Sequence, residues 1–115
     1  MAQNNGFYQW ETADLEIIIE DDDGNPKAGV LDNLKDVVVS ISQGPGKQED
    51  WHLDELGIDA AASTVNLHLT QQKAGKFSGD APAKVQVNIL YNNGERDVTV
   101  KGTIDVFSNL YRKEM

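Results

Sequence analysis

Apolar and polar residues alternate with period two along most of this chain, and no long helical period is present. The clearest run spans Thr64 to Phe107. Val65, Leu67 and Leu69 alternate with Asn66 and His68; Val85, Val87, Ile89 and Tyr91 alternate with Gln86 and Asn88. Val98, Val100, Ile104 and Val106 alternate with Thr99, Lys101, Thr103 and Asp105, which places Gly102 on the apolar face. Alternation of this kind marks strands with one face in a core and one in water. Asn92-Asn93-Gly94 predicts a hairpin, because Asn and Gly tolerate positive φ. Between the earlier strands, Thr70 is an expected helix N-cap and Gly75 an expected stop, with Phe77 packed beneath the turn. The predicted unit is a strand, a short helical crossover and a hairpin.

Two further strands precede it. Leu15, Ile17 and Ile19 point inward from the first, with Ile18 on the other face. Val37, Val39 and Ile41 point inward from the second, with Val38, Ser40 and Ser42 outward. Val30, Leu31 and Leu34 are expected to tuck a connection against the core. Gln43-Gly44-Pro45-Gly46-Lys47 reads as a loop. A short strand through Trp51 and Leu53 is expected, Trp51 at the core or its edge, followed by a connection over Leu56–Ser63 anchored by Ile58. Six or seven short strands and one brief helical turn predict an all-β domain, an immunoglobulin-like β-sandwich of about 6–8 strands. Residues 1–12 are expected to form an N-terminal arm and 13–115 a single sandwich domain. Phe7, Tyr8 and Trp10 in the arm need a surface: either they fold back as an edge strand or they dock on a neighbouring subunit. The segment Leu110–Met115 is amphipathic and is expected to pack on the body or on a partner.

Composition narrows the chemistry. The chain has 115 residues and a formal charge of −9, with a pI near 4.4. That balance disfavours nucleic acid and anionic membrane partners, which need clustered Lys and Arg. Cysteine is absent, so disulfides and thiolate metal sites are excluded. No apolar run approaches the roughly 20 residues of a membrane span. No basic and apolar leader is visible, so the chain is expected to stay in the cytoplasm or to leave it by lysis or inside an assembly.

Candidate chemistry is sparse. Asp21-Asp22-Asp23-Gly24 opens like a calcium loop, but the flanking helices and the twelfth-position glutamate are missing. A solvated turn is the simpler reading. His52 beside Asp50 and Asp54 suggests an acid–base group, although in a strand these three simply share a wet face. No nucleophile motif or phosphate loop is present, so neither an enzyme nor a cofactor is expected. A carbohydrate- or ligand-binding module would use Trp51 with Asp21, Asp22 and Asp23, together with Trp10. An acidic inhibitor mimicking nucleic acid is a further alternative, weakened by charge that is spread rather than striped.

Several of these segments together resemble a known family. The turn "DDDGNP", the strand "DVVVSISQG", the segment "STVNLHLTQQKAGKF" and the hairpin "AKVQVNILYNNGERDVTVKGTIDVFSNL" resemble the small N-terminal β-sandwich domain of upper-baseplate proteins in siphophages of Gram-positive bacteria. They also resemble short prophage proteins built from that domain alone. The resemblance covers roughly residues 12 to 110. It implies a non-catalytic virion structural protein, a tail or baseplate component assembled in the host cytoplasm. Its implied partners are other tail proteins and copies of itself in a homo-oligomer. With no coiled coil or fibre segment before Met115, the expected role is a small decoration, plug or connector. Phe7, Tyr8, Trp10, Leu110 and Tyr111 are the expected contact residues.

Overall fold

The alternating segments pair into two facing sheets. A computed structural model describes residues 6–115, apart from the side chains of Val100 and Lys101. The strands are β1 (Gly6–Tyr8), β2 (Ala13–Ile18), β3 (Leu34–Ser42), β4 (Gln48–His52), β5 (Leu56–Asp59), β6 (Thr64–Leu69), β7 (Ala81–Tyr91) and β8 (Arg96–Phe107). One sheet runs in the order β1-β8-β7-β3-β4 and the other β2-β6-β5. Every pairing of these strands is antiparallel except β1 with β8, which is parallel. An edge strand parallel to the last strand, and a three-strand sheet facing a five-strand one, make this an immunoglobulin-like sandwich.

The core lies between the sheets and follows the alternation. Val37, Val39 and Ile41 of β3 meet Val65, Leu67 and Leu69 of β6, Val85, Val87 and Ile89 of β7, and Leu15 and Ile17 of β2. Ile19, Val30 and Leu31 from the β2–β3 connection close one end. The connection stays ordered because its polar groups are used: Lys27 N–H donates to Ile19 O, and Ser63 Oγ donates to Lys27 O at 2.6 Å. At the other end the crossover helix α1 (Gln71–Ala74) carries the chain from β6 to β7. Thr70 caps it by accepting from Lys73 N–H, and Gly75 ends it, though at a right-handed φ of −71°. The stop at Gly75 is therefore not a conformational one. A Cβ there would lie 2.4 Å from the Trp10 ring, so the glycine makes room for an aromatic lid. The β7–β8 hairpin closes as expected. Gly94 N–H donates to Tyr91 O, Tyr91 N–H donates to Glu95 O, and Gly94 takes φ +89°.

Three expectations change. The arm folds back as an edge strand, one of the two readings, but Phe7, expected among the contact residues, belongs to the core. β1 lies along β8, and the Phe7 ring is buried edge-on against Phe77 at 5.8 Å; residues 1–5 of the arm lie outside the described residues. The expected strand through Trp51 forms as β4 but stops before Leu53, and Leu56–Ser63 is not only a connection. Leu53–Glu55 form a 3-10 turn and Leu56–Asp59 form β5, paired with β6. The third change concerns β8. Val85 pairs with Gly102 but the next residue, Gln86, pairs with Val100, so Lys101 is an extra residue in the strand. This bulge, with Gly102 at φ +91°, reverses which face each residue takes before it. Ile104 and Val106 stay on the core side, whereas Val98 is 52% exposed. The inward orientation expected of the Val100 side chain lies outside what is described.

Candidate functional site

Two surfaces collect the residues that alternation leaves over. The first is the edge formed by β1, β8 and the segment that follows β8. Tyr8 and Phe107 are register partners on the parallel pair, and both rings point away from the core side that Phe7 and Val106 occupy. They stack on each other at 5.2 Å and remain half-exposed. Leu110 is fully exposed and Tyr111 is 57% exposed. The backbone beneath them is well fixed. Gln9 donates from Nε2 to Phe77 O, and Asn109 donates from Nδ2 to Gln9 O, both at 2.9 Å. A Cβ on Gly6 would meet Asp105 O at 2.3 Å, and one on Gly79 would meet Ser108 Oγ at 2.3 Å, so both glycines permit this close approach. Of the five expected contact residues, Tyr8, Leu110 and Tyr111 are thus presented to solvent. Trp10 is half-buried over Gly75, and Phe7 belongs to the core.

The second surface is the outer face of the five-strand sheet. Register sets Asn88, Val38 and His52 in one cross-strand row, and Gln86, Ser40 and Asp50 in the next. With Asp36 and Arg96 these residues line a concavity of ≈ 490 Å³, within the roughly 300–1,000 Å³ typical of ligand pockets. Its side chains are held by one another. Asp50 Oδ1 accepts from Ser40 Oγ at 2.5 Å and from Gln48 Nε2 at 3.0 Å. Asp36 Oδ1 accepts from the backbone N–H groups of Val37 and Leu53. Arg96 directs Nε and Nη2 onto Asn88 Oδ1 at 3.0 and 2.7 Å.

Both carboxyls titrate below their ordinary value. For Asp50 the hydrogen bond from Ser40 is the main cause, working against partial desolvation. For Asp36, desolvation pushes upward, but the Leu53 N–H, the His52 side chain and the Val37 N–H together hold it down. Both are therefore carboxylates at neutral pH. Among the described residues, no Lys or Arg forms an ion pair within 4.0 Å with either carboxylate. Lys73 Nζ comes near, but it donates to the backbone oxygen of Asp50 at 3.1 Å. The face thus combines two carboxylates near β4 that lack a direct Lys or Arg pair with a guanidinium near β7 that is held by a neutral amide.

The suggested acid–base cluster takes a different shape. The His52 Nδ1 partner is Asp36 Oδ2 at 3.4 Å, from a residue two positions along the neighbouring strand from Val38, the register partner of His52. Cross-strand diagonals of this kind are invisible in linear spacing, which is why Asp36 escaped notice. Trp51 is 2% exposed, and Lys73 Nζ sits 4.5 Å from its ring centroid, so it offers no open face to a sugar. Asp21 caps its own turn, its Oδ1 accepting from Asp23 N–H and Asn25 N–H. That turn follows β2 at the end where Ile18 pairs with Thr64, whereas Lys73 over Trp51 belongs to the helix after Leu69, at the opposite end. Trp51 and Asp21–Asp23 are not brought together. Among the described residues no three metal-ligating side chains converge.

A comparison with protein-family models finds no match, and a comparison with curated proteins finds no relative.

Proposed function

We propose that this chain is a virion structural protein of the phage tail or baseplate kind, working by multi-copy contact and not by catalysis. The observation that carries the assembly reading is the aromatic edge: Tyr8, Phe107, Leu110 and Tyr111 stand outside the core on backbone that Gln9 and Asn109 hold in place. Apolar side chains on a fixed backbone present a surface already shaped for a partner, so little ordering entropy opposes docking. The likeness of the strand and turn segments to siphophage upper-baseplate domains supports the phage assignment, and with it assembly in the host cytoplasm into a virion. Partners on this reading are copies of the chain and other tail proteins. Closed symmetry is the usual outcome for such parts.

Static light scattering on the purified protein, alone and mixed with the products of neighbouring genes, tests the reading. A ring, a trimer or a stable complex with a tail component is expected, and alanine at Tyr8, Leu110 and Tyr111 should dissolve it. A strict monomer that ignores those partners would overturn it.

A further inference from the structure

The two leftover surfaces differ in charge as well as in place. Arg112-Lys113 is the only adjacent pair of basic residues in a chain of charge −9. It directly follows Leu110 and Tyr111, the exposed apolar residues of the final segment. Among the described residues no ion pair within 4.0 Å includes Arg112 or Lys113. Within its own chain the segment is exposed along its length and held at its ends. Asn109 is tied to Gln9 at one end, and Met115 N–H donates to Gln71 at the other, beside α1. The groove on the outer face of the five-strand sheet has the complementary features. Asp36 and Asp50 are ionised there without a Lys or Arg ion pair, and Val38 and Leu90 add apolar surface to its lining.

We infer that the outer-face groove of one copy receives the Leu110–Lys113 segment of a second copy. Arg112 and Lys113 meet Asp50 and Asp36, and Leu110 and Tyr111 lie against Val38 and Leu90. The inference rests on the multi-copy reading above and adds the geometry of the contact. Donor and acceptor surfaces are different parts of the chain. Exchanged reciprocally between two copies, the contact closes a two-fold dimer; passed from copy to copy, it closes into a larger ring or extends as a filament. Each ion pair forms at a partly shielded groove wall, so the contact weakens with added salt.

The test uses two charge variants. Arg112→Glu/Lys113→Glu reverses the segment. Asp36→Asn/Asp50→Lys reverses the groove, and the amide introduced at position 36 keeps an oxygen to accept from Leu53 N–H. Thermal melts establish that both fold. Sedimentation velocity at low and high salt then follows association of the wild type, of each variant and of their equimolar mixture. Each variant alone should associate more weakly by on the order of tenfold or more, from the loss of two partly exposed pairs. The mixture should recover association well beyond either variant alone. The intact segment of the groove variant meets the intact groove of the segment variant, and the reversed segment faces the reversed groove. Wild-type assembly that both variants reproduce unchanged would overturn this contact and leave the multi-copy reading standing. A folded mixture that stays monomeric would also overturn it. A wild type that is monomeric alone and with tail partners would remove both.

Discussion

Phe7 decides whether the N-terminal strand belongs to this chain's core or is held out for another. Its ring is 1% exposed and packs edge-to-face on Phe77 at 5.8 Å, while Gly6, Phe7 and Tyr8 pair in parallel with Asp105, Val106 and Phe107. Replacing a buried Phe by Ala costs about 3–5 kcal/mol, the transfer loss plus the cavity. The low end applies here, because β1 has only three residues and can undock, which relieves the cavity. A cost of about 3 kcal/mol is large against the roughly 5–15 kcal/mol of a typical domain. With an unfolding entropy of about 2.1 cal/mol/K per residue, the 115 residues give about 0.24 kcal/mol/K, so Tm should fall by about 12 °C. Phe7→Leu keeps the apolar volume and should lose about 1.5 kcal/mol or less. Urea unfolding at several protein concentrations measures both variants, with hydrogen exchange at Gln9 N–H, which donates to Phe107 O, reporting local release of β1. A Phe7→Ala protein that unfolds within about 1 kcal/mol of wild type, but assembles less well, would refute the burial and return Phe7 to the contact surface.

Two further outcomes follow from the same geometry. Gly75→Ala places a Cβ where the Trp10 ring now lies, 2.4 Å away; it should destabilise by about 1–3 kcal/mol and shift Trp10 emission to the red, and an unchanged melt and spectrum would mean that the ring does not rest there. Asp50 has a folded-state pKa below its ordinary 3.8, so the stability it adds is complete above 3.8 and disappears as pH falls through the lower folded value. Asp50→Asn should therefore be the less stable protein at pH 7, with the gap closing in strong acid; a gap independent of pH would show that charge at Asp50 is not what Ser40 and Gln48 stabilise.

Most of the sandwich was legible because burial imposes period two on every central strand. Val37-Val39-Ile41 and Val65-Leu67-Leu69 could be assigned a face from sequence, and the structure buries all six. Turn chemistry was equally readable at Asn92-Asn93-Gly94 and at the Thr70 cap. β5 was not. It is an edge strand of four residues, Leu56–Asp59, in which the apolar positions are only half-buried and Gly57 weakens the strand signal. The groove was less legible still. Its residues come from four strands of one sheet, and what joins Asp36 to His52, or Arg96 to Asn88, is register and not spacing. Trp51 misled for the opposite reason. An aromatic with nearby carboxylates looks like a binding residue in one dimension, but Asp50 takes the wet face of β4, Asp54 lies in the 3-10 turn beyond it, and the ring takes the core face.

The bulge in β8 ties these failures to the proposed contact surface. Were Lys101 paired in the ladder instead of bulged out of it, Val98 would continue the face of Ile104 and Val106, and Asp97 and Thr99 would point outward. With the bulge, Val98 shares the outer face with Asn88, its register partner, beside the groove. Asp97 turns to the opposite side, where its Oδ2 accepts from the Tyr91 hydroxyl at 3.3 Å. That side needs no apolar residue there. The facing sheet has only three strands, and Tyr91, which also donates to Val30 O at 2.7 Å, closes the core at this end. By leaving one residue out of the ladder, the bulge therefore places an apolar side chain on the outer face, beside the groove proposed to receive a second copy. Register shifts of this kind are over-represented at sheet edges and beside functional sites because they re-aim side chains without changing the rest of the fold. Deleting Lys101 would remove the bulge yet leave Val98 outward and Asp97 inward, because Val100 would then follow Gly102 directly in the ladder. The residue on which the exposed Val98 depends is Gly102, whose φ of +91° lets the extra residue bulge out; a β8 that paired Lys101 in the ladder would turn Val98 inward and carry Asp97 to the outer face.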